Sequence, residues 1–203
     1  MCRTVLALAT YGGKIVAGGN FRTAAGIPEL DYLFAWDGHN IERLGRGVDG
    51  VVETMTVHNG LLVIGGQLTR AWSKEGKLVR SGGVIGWNGL SWVLVGEAIV
   101  QGIVTSSLTV DRGESGGGIS KLYIAGRFHA VGSVLAEGLA VFDGFRWQKI
   151  GDGPKFSGGI INTIIAFRGD LYVGGSFSKI GNTHMAGFAR WDGVRYVKFS
   201  QTV

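Results

Sequence analysis

The chain repeats itself four times at a period of roughly fifty residues, and that periodicity decides most of its architecture. An apolar stretch containing small residues occurs at 15–21 (IVAGGNF), 62–68 (LVIGGQL), 122–128 (LYIAGRF) and 171–177 (LYVGGSF). Each is followed by an aromatic-Asx-Gly triplet: Trp36-Asp37-Gly38, Trp87-Asn88-Gly89, Phe142-Asp143-Gly144 and Trp191-Asp192-Gly193. A large apolar residue stands three places beyond each triplet, at Ile41, Trp92, Trp147 and Tyr196. Units of this kind bury a continuous core only by stacking on their neighbours.

Turn chemistry divides each unit into four short strands, in the last unit near 160–167, 171–177, 187–191 and 195–200. An Asx-Gly pair between apolar runs predicts a hairpin, and a type I′ turn would place both residues at positive φ. Asp37, Asn88, Asp143 and Asp192 therefore read as turn formers. The paired glycines closing the second strand predict a crowded place where backbones approach closely. Four-stranded antiparallel units at this period predict an all-β fold, a β-propeller with blades at approximately 1–47, 48–100, 101–156 and 157–203.

Composition agrees. The 203 residues include 37 glycines, and no glycine-free stretch is longer than about eleven residues, so an average helix would nearly always carry a helix-weakening glycine. No apolar run reaches the roughly 18 residues needed to span a bilayer as a helix. The single Cys2 excludes a disulfide-stapled scaffold. Residues 1–9 (MCRTVLALA) superficially resemble a secretory leader, but their apolar part is short and they align with a repeated strand.

The pattern apolar-Tyr-Val-Gly-Gly followed by Ala-Arg-Trp-Asp-Gly and an aromatic is similar to kelch-type repeats of galactose-oxidase-like propellers. It looks closer still to repeats of large bacterial surface or secreted propellers and of fungal cortical polarity markers. The resemblance covers essentially the whole chain and implies architecture rather than activity, because propellers host oxidases, lyases, scaffolds and adhesion modules alike. It favours a secreted or cell-surface setting and leaves the compartment open. The third unit departs from the pattern, with Ala125-Gly126 in place of the double glycine.

Candidate chemistry is sparse. His129 and His184 fall in loops between second and third strands, His39 and His58 on the hairpin side, and no Cys, Asp or Glu accompanies them at ligand spacing, so neither a metal nor a cofactor is expected. The copper site of galactose oxidase needs a Cys-Tyr pair, a second Tyr and two His. Here the only thiol is terminal, and Tyr123 and Tyr172 recur at equivalent strand positions as packing residues facing a neighbouring blade. Gly116-Gly117-Gly118 lacks the lysine and helix of a phosphate loop and reads as a hairpin insertion. No acid-base pair is evident among the scattered carboxylates Glu29, Asp31, Glu53, Glu97, Glu114 and Glu137, and no catalytic residue is assigned.

The longest loop between second and third strands, residues 67–83, collects Arg70, Trp72, Lys74, Lys77 and Arg80 with Glu75 alone opposing them. It reads first as a solvated surface loop and alternatively as a basic, aromatic contact patch for an acidic partner or nucleic acid; a protein or carbohydrate partner is expected to dock here. A net charge of +5 is too small to call for nucleic acid. The expectation is thus a non-catalytic binding or scaffold module. The alternatives are a propeller enzyme with residues converging on the axis and a structural fragment of a larger repeat protein. With no extra strand to fasten the first blade to the last, an open arc that associates through its exposed blade faces is expected.

Overall fold

A computed structural model describes residues 4–23, 26–27, 30–110, 120–150, 159–181 and 183–197. Cys2, the insertion containing Gly116 to Gly118, the 156/157 boundary and the end of the last strand lie outside the described residues. The fold is all-β, with no α-helix among the described residues and a single 3-10 turn at Val95–Glu97. No helix there is long and apolar enough to cross a membrane.

Four antiparallel sheets follow one another along the chain. The first joins Thr4–Tyr11, Lys14–Asn20, Leu33–Trp36 and Ile41–Glu42; the second joins Val52–His58, Leu61–Gly66, Val84–Trp87 and Trp92–Val93. The third joins Val100–Val110, Lys121–Val131, Leu139–Phe142 and Trp147–Lys149, with Val134–Leu135 added to its long second strand. The fourth joins Ile160–Phe167, Asp170–Ser176, Phe188–Trp191 and Tyr196–Val197. Two small hairpins stand apart, Arg70–Trp72 with Leu78–Arg80 and Lys179–Ile180 with Thr183–His184.

Alternation along each strand sends side chains to both faces, so an inner sheet contributes to two cores. Leu62 and Ile64 pack with Val16, Leu33 and Ala35 of the first sheet, while Val63 and Val84 pack with Val104, Leu122 and Ile124 of the third. Leu139 and Tyr123 then meet Ile161, Ile164, Leu171 and Val173 of the fourth. The first strands of successive sheets lie side by side.

The Asx-Gly corners are hairpin turns of a different type from the expected one. Gly38, Gly89, Gly144 and Gly193 have positive φ, but the preceding Asp or Asn does not, so these are not type I′ turns. Instead the Asx side chain closes a four-residue loop. Asp37 Oδ1 accepts the N–H groups of His39 at 2.8 Å and Asn40 at 2.7 Å, and Asn88, Asp143 and Asp192 repeat the pair two and three residues on. These backbone donors hold the Asp37, Asp143 and Asp192 carboxyls below the ordinary aspartate value.

The double glycines divide their work. The second of each pair faces a β-bulge in the first strand of its own sheet, where a Cβ on Gly66 would run into the carbonyl of Val51; Gly19, Gly126 and Gly175 are confined in the same way. The first of each pair leaves room for the next sheet: a Cβ on Gly65 would stand 2.8 Å from Val104 Cγ1, and one on Gly18 would stand 2.5 Å from Val52 Cγ1. In the third sheet Ala125 takes that place and is buried in the same core as Ile161.

Candidate interaction surface

The cationic stretch at 67–83 is built, not loose. Arg70–Trp72 pairs with Leu78–Arg80, placing Arg70 opposite Arg80 and Trp72 opposite Leu78. Asp49, in the connection from the first sheet to the second, stitches the base. Its Oδ1 accepts the N–H groups of Thr69 at 2.7 Å and Arg70 at 2.9 Å, and its Oδ2 accepts Thr69 Oγ1 at 2.6 Å and Arg70 Nε at 3.1 Å. Burial alone would push this carboxyl up, but the hydrogen bonds outweigh it and hold it below the ordinary aspartate value.

Trp72 is anchored through its backbone. Its carbonyl accepts the Arg46 N–H at 2.8 Å and the Trp92 indole N–H at 3.0 Å, its N–H donates to Gly47, and Val48 bridges Ala71. Its ring is half-buried with the Arg70 guanidinium over it, 5.9 Å from the centroid. At the tip, Ser73 Oγ donates to Glu75 at 2.7 Å and accepts the Lys77 N–H at 3.1 Å. The Ser73 hydroxyl holds the Glu75 carboxyl below its ordinary value. The stretch is thus a hairpin at the surface: Leu68 and Ala71 enter the core between the first two sheets, while Arg70, Lys74, Lys77 and Arg80 stay exposed.

The five candidates do not form one cluster. Arg70 is spent on Asp49. Lys74 lines a cleft of about 190 Å³ with Lys14, Glu42 and Arg43, and its carbonyl accepts Arg46 Nε at 3.1 Å. Lys77 and Arg80 remain exposed, and neither makes an ion pair among the described residues.

Elsewhere, the hydroxyls between adjacent first strands are committed to structure. Thr54 Oγ1 lies 3.0 Å from Ser107 Oγ and accepts its N–H, Thr56 meets Thr109 at 3.4 Å, and Thr105 donates to the carbonyls of Ala125 and Ile161. A cleft of about 550 Å³ between the third and fourth sheets is lined in part by Lys121, Lys149, Arg168 and Asp170. Among the described residues no three His, Cys, Asp or Glu side chains are grouped to hold a metal; His129 and His184 are exposed. His58, by contrast, is buried beside Ser120, Asn59 and Phe142, a placement that its position next to a turn did not signal. Tyr123 packs toward the fourth sheet as expected, whereas Tyr172 lies on the outer face of that sheet between Phe167 and Phe188.

Among solved structures, the chain is similar to the crystal structure of the computationally designed Ika4 protein, at 13% sequence identity with a TM-score of 0.52, covering 93% of this chain and 90% of that one. At that identity the likeness is one of fold alone. No family model and no curated protein matches the chain.

Proposed function

We propose that the chain is a non-catalytic binding module, an arc of kelch-like propeller blades that offers the 67–83 hairpin to an acidic segment of a protein or an acidic carbohydrate. The architecture rests on the fourfold repeat and on sheets that pack face to face in chain order with their first strands adjacent. The observation that carries the role is Arg80 directly opposite Arg70. Like charges across a strand pair are destabilising, and Asp49 offsets only Arg70. An anionic partner supplies the missing countercharge for Arg80 and Lys77 on a platform already rigid at its base.

The test is fluorescence anisotropy with two labelled probes, a glutamate-rich peptide and a sulfated oligosaccharide, against wild type, the Lys77→Ala/Arg80→Ala double variant and His39→Ala. One probe should bind, weaken several-fold in the double variant and weaken again with salt, since exposed charges are screened within about 8 Å at physiological ionic strength. No binding of either probe, or loss of binding in His39→Ala alone, overturns the reading.

A further inference from the structure

The repeat gives every position in one sheet an equivalent in the other three, and the two end sheets break the pattern of burial. Val52, Val104 and Ile161, the residues opposite the second glycine in the second, third and fourth sheets, are all 0% exposed, whereas their equivalent in the first sheet, Val5, is 48% exposed. Leu62, Leu122 and Leu171 are at most 5% exposed, whereas Ile15 is 42% exposed. The opposite end shows the converse. Leu33, Val84 and Leu139 are fully buried, and their equivalent in the fourth sheet, Phe188, is 49% exposed beside Ile165 and Phe167.

The two exposed faces are the two halves of one interface used three times inside the chain. Gly18 receives Val52 and Gly65 receives Val104, but among the described residues a Cβ on Gly174 would meet Thr163 of its own sheet alone, with no neighbouring sheet in that socket. The polar register continues as well. Thr54 Oγ1 accepts the Ser107 N–H at 3.0 Å and Ser106 Oγ accepts the Ile164 N–H at 3.3 Å, each from the next sheet. The next donor-acceptor pair in this series is Leu8 N–H with Thr163 Oγ1, and its members stand in the first and the fourth sheet. Arg190, which stands where the third sheet has Val141, is a charge on the outer face, and Asp170 at 3.6 Å neutralises it.

We propose that a second copy of this chain packs its first sheet on the outer face of the fourth sheet, with Val5 of one copy seated at Gly174 of the other. Two copies related by a twofold axis fill both ends of each chain, and the contact is heterologous within a closed pair. The occupant follows from the repeat: the face that fits the fourth sheet is a first-strand face of this chain, and one such face is uncovered. This inference does not depend on the hairpin's role.

The experiment is sedimentation of the whole chain at micromolar concentration, with Val5→Glu and Gly174→Leu as single variants. Val5 is 48% exposed and Gly174 half-buried in one copy, and circular dichroism should show the folds of both variants retained. Wild type should be a dimer, and each variant should lose association at least about a hundredfold, because a carboxylate cannot be buried unpaired and a filled socket excludes Val5. Mixing the two variants should restore a dimer held by one contact, since each retains the half that the other lacks. In a Cys2→Ser background, Leu8→Cys and Thr163→Cys copies oxidised together should form one intermolecular disulfide, as they occupy the stations of Ser107 and Thr54. Arg190→Val should tighten the pair. A monomeric wild type, an oligomer indifferent to both variants, or a mixture that fails to reassociate overturns the proposal.

Discussion

Replacing Asp49 by alanine removes four hydrogen bonds at once and leaves the N–H groups of Thr69 and Arg70 without their acceptor. The Arg70 side chain is about half exposed, so its ion pair contributes little. The cost comes from the two backbone donors and the Thr69 hydroxyl, at about 1 kcal/mol each and about 3 kcal/mol in total. This loss should reach the whole fold because Leu68 and Ala71 lie in the core between the first two sheets. A chain of this size should then melt roughly 6–12 °C lower, read by thermal and urea unfolding. Trypsin should also cut faster after Lys74 and Lys77. Asp49→Asn keeps one acceptor oxygen but turns an amide N–H group toward Arg70, and should lose about half as much. The pH dependence has a definite sign. The folded carboxyl titrates below its unfolded value, so its contribution is complete above about pH 4 to 5 and disappears as pH falls through the depressed folded value. The stability gap between wild type and Asp49→Asn should therefore close on acidification. A variant within about 0.5 kcal/mol of wild type, or a gap that widens in acid, would refute the suture argument.

Two further outcomes test the repeat chemistry. Gly66→Ala should fail to fold or lose more than about 3 kcal/mol in urea unfolding, because its Cβ meets the Val51 carbonyl; Gly174→Ala made in the Val5→Glu background, where among the described residues its Cβ meets a methyl group of Thr163 at 3.0 Å and no second copy occupies the site, should lose less than about 1 kcal/mol. Carboxyl NMR titration should find Asp37, Asp143 and Asp192 protonating below the ordinary aspartate value of about 3.9, since turn N–H groups favour the charged form. Any stability they supply is present above that value and is lost as pH falls through their folded values; an ordinary midpoint at all three would refute the side-chain turn closure.

Sequence alone determined the fourfold unit, the four main strands of each sheet and the Asx-Gly corners, but not the extra short strands of the second, third and fourth units; the former are local matters of apolar alternation and turn chemistry read within a few residues. It also pointed to crowding at the double glycines, although not to its two separate sources, a bulge carbonyl for Gly66 and the neighbouring sheet's Val104 for Gly65. The type I′ expectation failed because Asx-Gly alone does not reveal a carboxylate that accepts hydrogen bonds two and three residues on. The tertiary structure decided the character of the cationic stretch. Arg70 and Trp72 look free in the sequence, and only the return of the chain past residues 44–50 brings Asp49, Arg46 and Trp92 onto them. The same holds for the chain's ends. Val5 and Phe188 carry the same apolar signal as their buried equivalents, and burial is a property of what stacks against a face, which no single repeat encodes.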